Sequence, residues 1–142
     1  MIAYLDTNIF LYGADSDSKY YTECINFIKF CQKEQIILLT SVETVQEIIH
    51  YAKNIKQIER GLEIANFTLN SVDQLVSITP ETIKLYLKEA ESYLKASSRD
   101  LIHLATCQEN NYKVVITFDK DFSRFTQIKS YTPQQFIDHK LS

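Results

Sequence analysis

Asp6 and Asp119 each stand just past a short apolar run, in Leu5-Asp6-Thr7-Asn8 and in Val114-Val115-Ile116-Thr117-Phe118-Asp119. If both runs are strands of one parallel sheet, the two carboxylates arrive at the same rim. Ligands bind there, beyond the carboxyl ends of the strands. Two further acids have helical surroundings. Glu47 lies next to Ile48 and Ile49, and Asp100 precedes Leu101, Ile102 and, one turn on, His103. Four carboxylates converging on one pocket repel each other and cannot all stay ionised without a cation. Oxygen-only ligands in an open pocket suit magnesium or manganese, which keep several waters and bind substrate phosphates. With two such ions, one activates water and the other stabilises the leaving oxygen, so the implied chemistry is phosphodiester hydrolysis. No Ser, Cys or His triad arrangement competes with it.

Every one of these acids also has a plain structural reading. Asp6 and Asp119 both precede a plausible helix, where Asp is a favoured N-cap. Thr40-Ser41-Val42-Glu43 reads as a capping box that accounts for Glu43, and leaves Glu47 as either a site acid or a solvated one. Ser97-Ser98-Arg99-Asp100 reads as a second capping box, with Asp100 in the return position. His103 shares a helix face with Asp100. Among Leu101, Ile102 and Leu104 it reads as a packed, hydrogen-bonded residue more readily than as a metal ligand.

The elements that must position these residues alternate in period. Short buried-strand runs occur at Ile2 to Leu5, Ile36 to Leu39, Leu75 to Ile78 and Lys113 to Thr117, with a weaker one at Gln127 to Tyr131. Helical patterns lie between them: Tyr20 to Cys31, Val42 to Ala52 and Gln57 to Leu69. Pro80 opens another that runs through Ile83, Leu87 and Leu94. Leu101, Leu104 and Ala105 mark the next, and Pro133 starts a short last one. Apolar strands separated by helices imply βαβ units. The expected fold is therefore α/β, a single domain over residues 1–142 with a parallel sheet flanked by helices.

Composition agrees. The chain has 142 residues, 45% of them apolar and 23% charged, which suits one domain with a full core and excludes intrinsic disorder. Only two glycines are present, and they stand apart, so neither a P-loop nor a dinucleotide fingerprint can be written. A net charge of -3 excludes a broad basic surface but leaves room for a local patch. Cys24, Cys31 and Cys107 are odd in number and lack metal-ligand spacing; Cys24 and Cys31 share one helix face, expected in the core. The start, Met1-Ile2-Ala3-Tyr4-Leu5-Asp6, has no basic segment before an apolar stretch and too short a stretch for a membrane span. A reducing, cytoplasmic setting is the expectation.

The order of these motifs resembles the PIN-domain ribonucleases, and among them the VapC-type toxins of toxin–antitoxin operons, along almost the whole chain. Tyr4-Leu5-Asp6-Thr7-Asn8-Ile9-Phe10-Leu11 is similar to the family's first acidic motif, Glu47 in Thr44-Val45-Gln46-Glu47-Ile48 is placed as its second acid, Ser98-Arg99-Asp100-Leu101-Ile102-His103-Leu104-Ala105-Thr106 resembles the third motif, and Thr117-Phe118-Asp119-Lys120-Asp121-Phe122 the fourth. The resemblance implies a PIN-like α/β/α sandwich. It implies that Asp6, Glu47, Asp100 and Asp119 are catalytic acids that hold Mg2+ or Mn2+, with Thr117, Asn8 and Asp121 in support. Phe118 stands where the family has a small polar residue, which removes one hydrogen-bonding group.

An acidic protein that cuts RNA must also offset phosphate repulsion. Arg99 and Lys120 flank two of the acids and are candidate RNA contacts; Lys53, Lys56, Arg60, Lys95 and Arg124 extend the list. The nine tyrosines and eight phenylalanines offer stacking surface, although core packing explains most of them. The toxin resemblance further implies a homodimer and a cognate antitoxin, for which the apolar strip between Ile55 and Leu69 is a docking surface. Two rivals belong to other classes. A catalytically silent PIN-like RNA- or protein-binding module would be free to lose one of the four acids, and all four are present. A receiver-type phospho-acceptor domain expects an acid pair after the first strand and a lysine ending a late one. Here Thr7 follows Asp6, and Lys113 begins its strand.

Overall fold

A computed structural model describes residues 1–142. The elements run β1 (Ile2–Leu5), α1 (Thr7–Gly13), α2 (Tyr21–Lys33), β2 (Ile37–Ser41), α3 (Val42–Asn54), α4 (Ile58–Ser71), β3 (Gln74–Val76), α5 (Pro80–Ser92), α6 (Ser98–Glu109), β4 (Val114–Ile116), a 3₁₀ helix (Lys120–Arg124), β5 (Lys129–Tyr131) and α7 (Pro133–Leu141). All five strands are parallel, in the order β3-β2-β1-β4-β5. The expected α/β sheet is present, and the weak run ending at Tyr131 is a true edge strand.

Strand alternation sends neighbouring side chains to opposite faces, and each face is covered by helices. Ala3, Leu5 and Ile116 pack with Ile9 and Phe10 of α1, Cys24, Phe27 and Cys31 of α2, and Phe136 of α7. Tyr4 and Val115 point the other way, into Leu101, Leu104 and Cys107 of α6, with Phe122 and Phe125 beyond them. Helix α6 buries all seven residues from Leu101 to Cys107, which places it among the most enclosed elements of the fold. Helices α3 and α4 meet at Gly61. A Cβ there would come within 2.3 Å of Ala52 Cβ, so the glycine sets how closely the two helices approach.

With so few glycines, three helices end on other residues. Gln35, Lys56 and Asn111 adopt φ of 57°, 57° and 59° just past α2, α3 and α6. The next residue's amide then turns back to the helix, Ile36 to Cys31 O, Gln57 to Ala52 O and Tyr112 to Cys107 O.

Two sequence expectations fail for identifiable reasons. The box at Thr40-Ser41-Val42-Glu43 does not form. Ser41 is the N-cap of α3 but makes no side-chain cap bond; its Oγ accepts from the Tyr4 hydroxyl at 3.0 Å, and Thr40 Oγ1 donates to Leu5 O. Helix α5 stops at Ser92 and does not reach Leu94, which is 85% exposed. Tyr93 leaves helical geometry, packs edge-on to Phe125 and donates to Gln127 Oε1. That tertiary contact outweighs local helical preference.

Candidate active site

The register explains how the site begins. Leu5 pairs with Ile116, so the next residue of each strand, Asp6 and Thr117, stand side by side where the sheet ends. Between β1 and β4 the chain reverses its order of strands, which makes this the crevice where such sheets bind ligands. Asp6 caps α1, with Oδ1 accepting from Thr7 N at 2.7 Å. Its Oδ2 accepts from Thr117 Oγ1 at 2.7 Å and from Asn8 Nδ2 at 3.1 Å. Thr117 Oγ1 in turn accepts from Asp119 N at 2.9 Å, and Asn8 Oδ1 accepts from Phe118 N. One threonine and one asparagine thus tie the ends of β1 and β4 together. Asn8 does this from inside α1, where it caps nothing. Burial pushes the Asp6 carboxyl up despite its donors and the nearby His103.

Asp119 caps the 3₁₀ helix, with Oδ1 accepting from Asp121 N at 2.9 Å. Capping and site residence are therefore both true of Asp6 and of Asp119. Asp121 is exposed, and its carboxylate pairs with Arg124 at 3.3 Å. Asp100 occupies the first turn of α6. Ser97 Oγ accepts from its amide, and only this forward half of the expected box is present. Burial, reinforced by Asp119 and Asp6, pushes the Asp100 carboxyl up to about 6. Asp100 thus feels the charge of both other aspartates, which other elements supply.

Glu47 is not a solvated acid. Helix α3 buries Thr44, Glu47, Ile48 and Ala52, and the carboxylate is 8% exposed. Its Oε2 accepts from Thr7 Oγ1 at 2.8 Å, and its Oε1 lies 2.9 Å from His103 Nε2. His103 is 1% exposed, with Nδ1 2.6 Å from the Tyr4 oxygen. The Tyr4 proton goes to Ser41, so Nδ1 must donate to Tyr4 while Nε2 donates to Glu47. The pattern assigns an imidazolium. Although burial opposes the charge, the bond to Glu47 and the charges of Asp6, Glu47 and Asp100 hold the His103 pKa up. The same bond and charge outweigh burial at Glu47 and hold its carboxyl below the usual range.

Sequence reading treated His103 as packing and assigned Tyr4 and Ser41 no part. The structure makes them a buried chain, Ser41–Tyr4–His103–Glu47–Thr7, that joins five elements. The one legible signal was a histidine spaced one turn from Asp100.

Asp6, Glu47 and Asp100 line a cleft of about 380 Å³ together with Asn8, Tyr51 and Arg99. Arg99 is in no ion pair, and its charge favours ionised Glu47. Asp119 and Lys120 line a neighbouring cleft. Lys56 and Arg60 lie on a different face, with Arg60 held by Glu63 and by the Ala14 carbonyl. No group of three or more acid, histidine or cysteine side chains stands closed around one point that could hold an ion. The donor chemistry nevertheless fits a hard divalent cation: oxygen donors only, with the charge on Asp100 disfavoured by burial and by Asp119 and Asp6.

The family model of the PIN domain matches residues 3–127.

The chain belongs to the PIN-domain family.

This PIN domain is 28% identical over 126 residues to Ribonuclease VapC23 of Mycobacterium tuberculosis (strain CDC 1551 / Oshkosh), a match that covers 82% of this chain and 91% of the relative. Among solved structures it is similar to VapBC2 of Rickettsia felis, determined bound to a DNA fragment from its promoter. The TM-score is 0.76 and the identity 18%, over 93% of this chain and 98% of that one. It is also similar to a toxin–antitoxin complex from Klebsiella pneumoniae, with TM-score 0.60 and 25% identity over 92% and 97% of the two chains. No helix of this PIN domain is long and apolar enough to cross a membrane.

Proposed function

We propose that this PIN domain is a metal-dependent endoribonuclease and the toxin of a toxin–antitoxin pair, with all 142 residues forming one functional unit. The observation that carries the reading is that Asp6 and Asp100 line one cleft at the β1–β4 crevice while Thr117 ties Asp6 to the backbone of Asp119. Named relatives support the same activity.

Asp6, Asp100 and Asp119 would hold Mg2+ or Mn2+, with Glu47 as the fourth acid. When bound, the ion supplies charge that activates water and stabilises the leaving oxygen. The chain's own residues prepare the site for this. Thr117 and Asn8 fix the Asp6 carboxylate and keep it beside Asp119. His103 and Thr7 occupy both oxygens of Glu47, which therefore serves as a fixed negative charge at the floor of the cleft. Asp121 supports Asp119 through its backbone amide. Arg99 and Lys120, both free of ion pairs, are placed to meet the RNA backbone on either side of the acid row.

In this reading a cognate antitoxin covers the exposed apolar strip at Ile55, Ile58, Leu62 and Leu69, which are 40–52% exposed, and two copies form a homodimer in the cytoplasm. The buried free thiols suit a reducing compartment.

The test is cleavage of total RNA by purified protein with magnesium, with manganese, with chelator, and by Asp100→Asn. The cap of α6 is Ser97 bonded to the backbone amide of residue 100, which Asn leaves in place, so the variant folds. Metal-dependent cutting lost in folded Asp100→Asn supports the reading. Cutting that persists in chelator or in the variant overturns it. Metal binding with no cutting by the wild type favours the non-cutting PIN module.

A further inference from the structure

We propose that the cleft on the far side of Asp119 is a nucleotide subsite, which receives the residue next to the scissile phosphate and reads its base. The inference rests on the ribonuclease reading and adds what that reading leaves open, the source of base preference.

The acid row separates two clefts. One, already described, is walled by Asp6, Glu47 and Asp100. The other has a volume of about 410 Å³ and opens between the carboxyl ends of β4 and β5, with Thr117 and Asp119 on its near side. The two meet at the line Asp6–Thr117–Asp119, drawn by bonds of 2.7 and 2.9 Å. A phosphodiester lying across that line has a nucleotide on each side. Both volumes are in the range of small-ligand pockets. The chain therefore has room on each side, but the two sides differ in kind. Three carboxylates face an incoming phosphate in the first cleft. The second has Asp119 as its only carboxylate and, next to it, Lys120, which is in no ion pair.

The lining of the second cleft suits a base. Phe118 and Tyr131 are its apolar members, and Ser130 and Gln135 bring a hydroxyl and an amide. Phe118 is held in place by a stack on Tyr20, with ring centroids 4.4 Å apart, and by the edge of Tyr12 at 5.4 Å. Gln135 uses Oε1 to accept from Thr132 N at 2.9 Å, so the amide is fixed in orientation and its Nε2 is free to donate to a ligand. Aromatic side chains beside a fixed amide donor and hydroxyls are the means by which single-stranded bases are stacked and read at their edges. Phe118 is also where this chain departs from the small polar residue its motif resembles, so the base wall is a property of this chain.

The experiment titrates 15N-labelled full-length protein with the four nucleoside 5′-monophosphates in magnesium and follows backbone amides by NMR. In parallel, a random-sequence RNA pool is digested and the cut ends are sequenced. The variants are Ser130→Trp, which fills the cleft, and Gln135→Glu, which keeps the bond from Thr132 N but replaces the free donor by an acceptor. The expected result is that at least one nucleotide shifts the amides of Phe118, Ser130, Tyr131 and Gln135. Ser130→Trp should weaken that binding by about tenfold or more, roughly 1.4 kcal/mol. Gln135→Glu should change which base is preferred at one position beside the cut while cutting continues. Two outcomes overturn the subsite: shifts absent from these four amides, or base preference unchanged in folded Gln135→Glu. Nucleotide binding in the cleft by a protein that cuts no RNA overturns the ribonuclease reading and leaves the subsite standing.

Discussion

Glu47 and His103 come from helices α3 and α6, lie 2.9 Å apart, and are both almost wholly enclosed. The pairing sets an imidazolium 3.7 Å from Asp6 and bonds it to Glu47. Removing one member of a buried pair strands the other, which costs more than the pair is worth when intact.

Tyr4→Phe should test this chain at its far end. The ring volume is kept, but Ser41 loses its donor and His103 Nδ1 its acceptor. We expect a loss of about 1–3 kcal/mol, the usual cost of an unsatisfied buried polar group, read by urea unfolding. A wild-type midpoint would show that the network carries no stability.

The pH dependence follows from the directions of the shifts. His103 is raised, so its contribution is full below its unfolded pKa and fades as pH rises through its folded value. Glu47 is lowered, so its contribution is present above its unfolded pKa and fades as pH falls through its folded value. Asp100 is raised to about 6, so metal-free protein loses stability as pH climbs through that value. Asp100→Asn should therefore stabilise metal-free protein at pH 8 by about 1 kcal/mol, allowing for solvent screening at this half-buried site, and do little at pH 4. Thermal melts in chelator at the two pH values decide it.

Thr117→Val removes one hydroxyl and keeps the shape. Asp6 loses a donor and Asp119 N an acceptor, so both carboxylates are less well aimed. Weaker Mn2+ binding by about 10- to 100-fold is expected, as for other residues that orient metal ligands. Calorimetric titration with the ion measures it directly, and an unchanged affinity would remove Thr117 from the site.

Gly61→Ala should destabilise by about 1–3 kcal/mol, because the added methyl overlaps Ala52 Cβ. Ala52→Gly in the same chain should restore part of that loss. Equal melting of the single and double variants would mean that the two helices part without cost.

Most of the frame was readable from residue periods. The parallel strands and six helices fell near their expected places, and Asp6 and Asp119 lay at strand ends as anticipated. What escaped the sequence was decided by contacts between distant segments. Ser41 looked like a cap because its neighbours favour one, but Tyr4, 37 residues earlier, takes its oxygen. Glu47 read locally as either a site acid or a solvated one, because nothing nearby announces the imidazole 56 residues later that pairs with it. Leu94 looked like helix because its period continued, while Tyr93 had already been drawn to Phe125. Lys56 and Arg60 stood on the list of RNA contacts by charge alone, and the fold sets them on a separate cleft from the acids.

The central place of β1 has a bearing on how the protein is made. The first acid emerges early from the ribosome, but its partners lie at 47, 100 and 119, and the strand that brings Thr117 beside it pairs with β1 across more than a hundred residues. Until β4 has been synthesised, Asp6 lacks the Thr117 hydroxyl that fixes its carboxylate, and any chain broken off before that point carries no complete acid row. A growing chain therefore completes its row of acids only near the end of its synthesis.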